Sequence, residues 1–373
     1  MFDLYKGKTV LITGHTGFKG AWLCEWLLMK QANVIGFSLD PPSTPALFEQ
    51  LDLKQRIHGH YIEDIRNFDA LKKVIERHKP DYVFHMAAQT LVRESYRDPI
   101  TNFETNIMGT VYLLEAIKQV HCDCICVVIT TDKVYENNEW LFSYRENDQF
   151  GGYDPYSSSK ACAEILTASY NRSYFFDKNQ KDFSSPVVAT VRAGNVIGGG
   201  DWADERIVPD CIKYLADKQP IPVRNRTATR PWQHVLEPLG GYLTLALKLA
   251  QLKSNEDQDI TEYCSGFNFG PNISSNKTVE DLVNEILLHL PGEWTDQSDP
   301  LAPHEAGKLN LASEKAFHLL GWRPRWTFAA SVEKTAIWYK RCYLMGAAEI
   351  SKQAIADHTR ADILHYEQSE LLA

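Results

Sequence analysis

The chain lacks several features that would place it in common classes of protein. Its eight cysteines include no Cys-x-x-Cys pair, and Cys122, Cys124 and Cys126 only alternate, which favours free buried thiols over a metal site. No apolar run approaches the roughly 20 residues that a membrane-spanning helix needs. The opening MFDLYKGKTVLITG lacks the charged and apolar regions of a signal peptide. A net charge of −9 argues against nucleic acid or an anionic membrane as the main partner. We therefore expect a cytoplasmic globular protein without a bound metal.

Strand and helix patterns alternate through the first half of the chain. The strand-like runs are KTVLITG, ANVIGFSLD, RIHGHYIEDI, DYVFHMAAQ, CICVVITT and PVVATVRAGNVIG. The helical patterns between them include AWLCEWLLMK, FDALKKVIERH, NFETNIMGTVYLLEAIKQ and PYSSSKACAEILTASYNRSYFF. Strands separated by such helices predict right-handed crossovers and the α/β class, with a doubly wound, Rossmann-like parallel sheet. After about Gly200 the alternation loosens, which predicts a domain over residues 1–200, a smaller lobe over 201–345 and a tail or helix over 346–373.

The stretch TGHTGFKG follows the first strand and opens the first helix. Its glycines, Gly14, Gly17 and Gly20, permit a tight turn and let the backbone approach a pyrophosphate, which the helix N-terminus then binds. Asp40 ends the second strand, where a carboxylate accepts hydrogen bonds from an adenosine ribose and repels a 2′-phosphate. Turn formation before Pro41 is the alternative role for Asp40. The first domain is therefore predicted to bind NAD rather than NADP.

Two further motifs supply candidates for catalysis. YSSSK places Tyr156 and Lys160 one helical turn apart, so that the ammonium group stabilises the phenolate and the tyrosine can take a proton from an alcohol. VVITTDKVYEN ends a predicted strand with Thr131, Asp132 and Lys133, where a loop ion pair is the alternative to a catalytic role. The predicted cofactor contacts are Gly14, Thr16, Gly17, Phe18, Lys19, Gly20, Asp40, Asp64, Ile65, Ala87, Ala88, Gln89, Asn106, Tyr156 and Lys160.

These residues resemble a known family. TGHTGFKG, MAAQ, NFETNIMGTVYLLEAI, TTDKVYEN, YSSSK and VRAGNVIGGGDW are similar to the extended short-chain dehydrogenase/reductases that act on nucleotide sugars, over about residues 7 to 345. SLDPPSTPALFEQL, GGYDPYSSSK, GGGDWADERIVPD and RPWQHVLEPLGGYL narrow the resemblance to the 4,6-dehydratases, and among these to the group that acts on CDP-sugars.

The resemblance implies a role for each catalytic candidate. Thr131 would bind the sugar 4-hydroxyl and complete a triad with Tyr156 and Lys160, so that C4 is oxidised. Asp132 would protonate the C6 hydroxyl as water leaves across C5–C6, and hydride would return from the cofactor to C6. The dTDP-sugar enzymes have Glu at the position of Lys133, whereas the CDP-sugar group shares this Lys. It either removes the C5 proton as a neutral amine or stays charged and stabilises the enolate.

The second lobe supplies candidates for substrate binding. The substrate pyrophosphate calls for cations, and Arg192, Arg206, Arg224 and Arg230 offer planar donors, with Arg230 favoured by the resemblance of RPWQHV. Trp202 and Trp232 are neighbours of the base or ribose, or else core residues. The predicted substrate contacts are Arg93, Asn195, Trp202, Arg206, Arg224, Arg230, His304 and Glu305, where a surface turn is the alternative for the last two.

The expected partners are a small nucleotide sugar and a second copy of the chain. The family pairs two subunits through helices that correspond to about 102–119 and 155–176, which predicts a four-helix bundle in a homodimer or tetramer. A 4-epimerase, a dehydratase for another nucleotide sugar and a non-catalytic dinucleotide sensor are the alternative functions. The Thr-Asp-Lys sequence argues against the epimerase, and the complete triad argues against the sensor.

Overall fold

A seven-stranded parallel sheet forms the centre of the computed structural model, which describes residues 2–175, 185–255, 259–298, 308–344 and 350–372. Its strand order is β3-β2-β1-β4-β5-β6-β11. The sheet strands are β1 Thr9–Thr13, β2 Asn33–Ser38, β3 Gly59–Ile62, β4 Tyr82–His85, β5 Ile125–Ile129, β6 Val187–Ala193 and β11 Gly266–Phe269. Shorter pairs form from β7 Val196–Ile197, β8 Ile221–Val223, β9 Thr229–Pro231, β10 Gln233–His234, β12 Asn276–Thr278 and β13 Trp294–Asp296. The predicted doubly wound sheet is confirmed.

Helices cover both faces of this sheet. They are α1 Phe18–Met29, α2 Leu47–Gln50, α3 Leu53–Arg56, α4 Phe68–His78, α5 Val92–Arg97, α6 Pro99–Phe103, α7 Gly109–Gln119, α8 Pro155–Tyr170, α9 Ile207–Ala216, α10 Leu236–Lys253, α11 Val279–His289, α12 Glu314–Leu320, α13 Phe328–Tyr339 and α14 Lys352–Gln368. The predicted long helix before β5 is α6 and α7 joined by a π-helical segment, Glu104–Met108. Among the described residues, we find no helix with the length and apolar character needed to span a bilayer.

The apolar side chains of the strands divide between two cores. Along β1, Val10 and Ile12 belong to one buried cluster and Leu11 to the other, as the two-residue period of a strand requires. The second cluster also contains Cys122, Cys124 and Cys126, which are buried and free. Burial on both faces explains why these strands read as continuous apolar runs.

The sheet includes one strand that the sequence interpretation missed. β11 lies far along the chain, yet it pairs in parallel with β6 and forms the edge of the sheet. The alternation of Phe267 and Phe269 between glycines is the signal that could have predicted it, and both rings are fully buried. The assignment of cofactor binding to residues 1–200 and substrate binding to 201–345 stays a prediction.

The loops at the carboxyl ends of β1, β4, β5 and β6 meet on one edge of the sheet. β1 has β2 on one side and β4 on the other, so the chain reverses direction across the sheet at this point. Open α/β sheets bind ligands at such a switch point.

The helix α14 packs on the outer side of α1, where Arg360 pairs with the buried Glu25 at 2.6 Å and Glu367 accepts a hydrogen bond from Trp26 at 2.6 Å.

Candidate active site

The loop between β1 and α1 has a shape that only glycine permits at two positions. Gly14 has φ of +77°, and a Cβ there would lie 2.7 Å from the backbone nitrogen of Ala87. A Cβ at Gly20 would overlap the carbonyl oxygen of Gly14. Gly17 precedes α1 and provides no side-chain cap, so the first N–H groups of that helix remain open to an anion.

The side chains next to this loop differ in their exposure. Thr16 is buried and shares a hydrogen bond with Ser38 at 2.9 Å, which ties the loop to the end of β2. Asp40 is exposed two residues beyond β2, as a ribose contact requires. Asp64 pairs with Arg66 at 2.7 Å, and that hydrogen-bonded guanidinium lowers the pKa of Asp64 below its usual range.

Ile65 and Asn106, two of the predicted cofactor contacts, are buried in the structure. Ile65 is a core residue that packs against Gly109. The amide of Asn106 donates to the carbonyl of Gln89 at 3.0 Å and to Ser159 at 2.8 Å, and its oxygen accepts from the Gln89 N–H at 2.9 Å. Asn106 therefore holds the Ala87–Gln89 segment in place, and its predicted direct contact with the cofactor stays a prediction.

The tip of β5 presents a buried carboxylate. The Thr131 hydroxyl donates to Oδ1 of Asp132 at 3.0 Å, while the buried Oδ2 has no hydrogen-bond partner among the residues that the structure describes. Burial raises the pKa of Asp132 above its usual range, although the nearby cations Lys133, Arg230 and Lys19 oppose the shift. Lys133 is half-buried beside it. A carboxyl group in this environment can hold a proton and donate it.

The helix α8 brings Tyr156 and Lys160 to the same site. Asp154 caps its start by accepting a hydrogen bond from the N–H of Ser157 at 2.9 Å. Burial raises the pKa of Tyr156 to about 12, although its hydrogen bond with Thr131 opposes the shift. Burial also lowers the pKa of Lys160 to about 8. Thr131, Asp132, Tyr156 and Lys160 are thus all buried on this edge of the sheet, with Thr131 linked to both Asp132 and Tyr156.

Two of the predicted arginines lie close to the catalytic candidates. Arg206 pairs with Asp201 at 2.9 Å, and its charge acts on Tyr156. Arg230 is largely buried, and its charge acts on Asp132. Asn195 is half-buried between β6 and β7. Arg93 is paired with Glu205 at 3.7 Å on the facing loop.

The remaining substrate candidates have other surroundings. Trp202 is buried, contacts the rings of Tyr339 and Tyr343, and donates to Gln50 at 3.2 Å. These contacts favour the core role, and its contact with the base or ribose stays a prediction. Trp232 is likewise buried and donates to the carbonyl of Lys277. Arg224 pairs with Asp210 at the surface. His304 and Glu305 lie outside the described residues.

Arg192, one of the four arginines considered for the diphosphate, is bonded to other groups of the protein in the structure. Its guanidinium is 2% exposed and pairs with Glu164, with Nε 2.8 Å from Oε1. A second donor bonds Tyr135 at 2.6 Å and the carbonyl of Glu146 at 3.0 Å. The sequence interpretation treated Arg192 as a ligand for a phosphate because its carboxylate partner, Glu164, lies in a different element.

The structure shows interactions of two further residues, Lys19 and Glu164, that the sequence interpretation did not include. Lys19 was predicted from the glycine loop alone, yet its half-buried ammonium interacts with Asp132 and Asp201, and burial lowers its pKa to about 8. Glu164 was missed, although its spacing of one turn from Lys160 and two from Tyr156 is a visible signal.

The glycine loop, the switch point and the Thr–Tyr–Lys set define the class of protein as a Rossmann-fold short-chain dehydrogenase/reductase of the extended type. A family model described as GDP-mannose 4,6 dehydratase matches residues 11–335. The chain belongs to this family.

Curated relatives and solved structures agree with this assignment. The chain is 43% identical over 366 residues to a CDP-glucose 4,6-dehydratase of Salmonella typhimurium, with 96% of this chain and 98% of the relative covered. It is 26% identical to dTDP-glucose 4,6-dehydratase 1 of Escherichia coli, with 88% and 92% covered. A dTDP-glucose 4,6-dehydratase of Streptomyces venezuelae, crystallised with NAD, superposes with a TM-score of 0.72 at 22% identity, covering 89% and 98% of the two chains.

Proposed function

We propose that the chain is an NAD-dependent CDP-glucose 4,6-dehydratase, which converts CDP-D-glucose to CDP-4-keto-6-deoxy-D-glucose. The observation that carries the proposal is the buried Asp132, followed by Lys133, at the tip of β5 beside Tyr156 and Lys160. The 43% identity to the Salmonella typhimurium enzyme over nearly the whole chain supports the choice of CDP-glucose.

The residues around the glycine loop fit NAD. Gly14 and Gly20 leave the backbone close to the start of α1, where N–H groups without side-chain caps can bind the pyrophosphate. Asp40 is exposed at the end of β2, where its charge favours a ribose with a free 2′-hydroxyl. When bound, NAD supplies the acceptor and later the donor of a hydride.

The first step needs a base for the sugar 4-hydroxyl. Thr131 accepts or donates a hydrogen bond at that hydroxyl, and Tyr156 takes its proton. The unassisted phenol has a pKa of about 12 in its buried position, so it needs a neighbouring positive charge to act as a base. Lys160, one turn further along α8, supplies that charge while it remains protonated.

The second step removes water from C5 and C6. Oxidation at C4 acidifies the C5 hydrogen, and loss of that proton expels the C6 hydroxyl if an acid protonates it. Asp132 is suited to that task because its burial favours the protonated form. Lys133 either accepts the C5 proton or stabilises the enolate by its charge. Arg206 and Arg230 are our candidates for binding the substrate diphosphate, since both lie near the reacting groups.

A panel of nucleotide sugars tests the proposal. We would incubate the protein with CDP-, dTDP-, UDP- and GDP-glucose and measure product mass and the ultraviolet absorbance of a 4-keto sugar. Loss of one water from CDP-glucose, in preference to the other three, is the expected result. A product of unchanged mass with inverted C4 would instead identify a 4-epimerase. Preference for another nucleotide would overturn the choice of CDP.

The cofactor can be tested without substrate. Because the reaction returns the hydride, NAD need not leave between turnovers. Protein purified without added cofactor and then denatured should release NAD or NADH. Release of NADP, or tighter binding of NADP than NAD, would contradict the role of Asp40.

The proposed assembly is a homodimer that pairs α6–α7 and α8 of each copy. Four large apolar side chains on this face are exposed in the single chain: Ile100, Phe103, Met108 and Ile165. Such a surface is characteristic of an interface rather than of a solvated helix pair. Sedimentation should give a dimer or tetramer, and Ile165→Glu should shift it toward monomer.

We infer a cytoplasmic location because the eight cysteines are free, as in a reducing compartment.

A further inference from the structure

The catalytic helix α8 carries a third polar side chain in line with the two that the proposed mechanism uses. Tyr156, Lys160 and Glu164 follow one another at intervals of four residues, so they share one face of the helix. All three are buried, and Glu164 is 3% exposed. A carboxylate so far from water needs a specific reason for its presence.

Glu164 binds the strand that carries the catalytic threonine. Its Oε1 accepts a hydrogen bond from the hydroxyl of Thr130 at 2.5 Å, and Thr130 immediately precedes Thr131. Its Oε2 accepts from Thr190 on β6 at 2.5 Å. Arg192, also on β6, closes the group with two bonds to the same carboxylate, at 2.8 and 2.9 Å. One side chain of α8 therefore joins the helix to both β5 and β6.

The same carboxylate provides charge beside Lys160. Burial opposes the ionisation of Glu164, but Arg192 and the hydrogen bonds outweigh it, and the pKa of Glu164 lies below its usual range. Its negative charge raises the pKa of Lys160 against burial and against the positive charge of Lys19 on α1. From β4, the group that faces Lys160 is His85, whose pKa burial lowers to about 3, so the imidazole is neutral there.

We propose that Glu164 is a positioning residue for the reaction, which fixes Tyr156 and Lys160 against Thr131 and supplies the negative charge that keeps Lys160 protonated. The inference rests on the proposed dehydratase function. It gives the buried Glu164, which Arg192 pairs from β6, a task beyond stability, since Glu164 lies on the helix that carries Tyr156 and Lys160 and bonds Thr130, the residue before Thr131. The hydrogen bond to Thr130 sets the position of the strand tip, and the charge acts on the lysine.

Glu164→Gln removes the charge and keeps the size of the side chain, while its NH2 group replaces one of the two oxygens that accept from Thr130, Thr190 and Arg192. We expect the variant to bind CDP-glucose with little change in KM, while kcat falls by about tenfold or more, as for loss of an acid–base component. The alkaline limb of the kcat profile should move to lower pH, because Lys160 then loses its proton more easily. An alkaline limb that stays at its wild-type position would overturn the proposal, whatever the kcat.

The matched control is Glu237→Gln. Glu237 is also a fully buried carboxylate, but it accepts bonds from the backbone of Arg325 and Trp326 and from Tyr366, away from α8. This variant should lower the melting temperature and leave the pH profile of kcat unchanged. The comparison separates a general loss of stability from an effect on Lys160.

A second pair of variants keeps the proposal testable if Glu164→Gln does not fold. Thr130→Val removes the hydroxyl that bonds both Glu164 and the carbonyl of Val191. It should lower kcat by roughly tenfold, since a misplacement of about 1 Å can cost up to a hundredfold. Thr167→Val removes a buried hydroxyl of α8 whose only bond within the described part of the chain is to the carbonyl of Ala163, and its kcat should match wild type. Equal kcat for the two variants would overturn the positioning role. An inactive wild type would instead refute the proposed function itself.

Discussion

The loop after β1 and the tip of β5 lie on the same edge of the sheet but are built in opposite ways. Between Gly14 and Gly20 the function depends on backbone atoms, and side chains are excluded at two positions. From Thr131 to Lys133 it depends on side-chain charge in a buried setting. The difference indicates that damage to the first region should remove the cofactor, whereas damage to the second should leave it bound and stop the chemistry.

The largest effect is expected from Gly20→Ala. Its Cβ would overlap the Gly14 carbonyl oxygen, so the loop must move and the pyrophosphate site is lost. The purified variant should release little or no NAD on denaturation and show no measurable turnover. Gly7→Ala is the control: Gly7 also has a positive φ, of +73°, but nothing lies within 4 Å of a Cβ there. The control variant should lose some stability and keep its NAD. Equal loss of NAD in the two variants would contradict the specific role of the glycine loop.

Tyr156→Phe should spare the cofactor and abolish the first oxidation. The ring and its packing remain, while the group that takes the proton from the 4-hydroxyl is removed. We expect kcat to fall by about 10² to 10⁴-fold with bound NAD and substrate affinity retained. Steady-state turnover and NAD content measure the two halves of this expectation. A turnover number equal to that of wild type would exclude Tyr156 from the mechanism.

Lys133→Met should separate the first hydride transfer from the later loss of water. The variant keeps the apolar stem, so the first hydride transfer should occur and the bound nicotinamide should absorb as its reduced form after mixing with CDP-glucose. Formation of the 6-deoxy product and exchange of the C5 hydrogen with solvent deuterium should both slow, by on the order of a hundredfold.

Asp132→Asn is the informative partner to that variant. Exchange at C5 can persist there while loss of water stalls, because the leaving hydroxyl lacks its acid. If Lys133→Met dehydrates CDP-glucose at the wild-type rate, Lys133 is only a loop charge. The tip of β5 then does not act through the charge of this side chain.

A smaller effect is expected from pH. Below about pH 8 Lys160 carries its proton and supports the phenolate, and above that value it becomes neutral. Activity should therefore fall as pH rises through about 8, where Lys19, whose pKa burial also lowers to about 8, loses its proton as well. A kcat that rises steadily to pH 10 would show that the charge of Lys160 is not needed.

Much of the sheet and of the glycine loop could be predicted because both depend on local sequence. Continuous apolar runs separated by helical patterns indicate the strands, and the spacing of three glycines requires a particular backbone. The predicted positions of Thr131, Asp132, Tyr156 and Lys160 followed from strand ends and helical spacing, and the structure brings these residues together.

Two side chains have surroundings that the local sequence does not indicate, because their partners are distant along the chain. Arg192 was one of four candidates for the diphosphate, and its carboxylate partner Glu164 lies 28 residues before it. Trp202 packs on Tyr339 and Tyr343, which no local pattern around the tryptophan indicates. β11 was missed because it lies after the strand–helix alternation has loosened, and it joins the sheet only by pairing with the distant β6.

The packing of α14 on α1 has a consequence for the order in which the protein matures during synthesis. Arg360 reaches Glu25 across 335 residues of chain. At typical translation speeds of about 5 to 20 residues per second, roughly 20 to 70 s pass before that partner exists. The helix that begins at the pyrophosphate site thus emerges from the ribosome among the first elements and acquires its outer cover among the last. A nascent chain therefore forms its glycine loop before Arg360 can cover the outer side of α1.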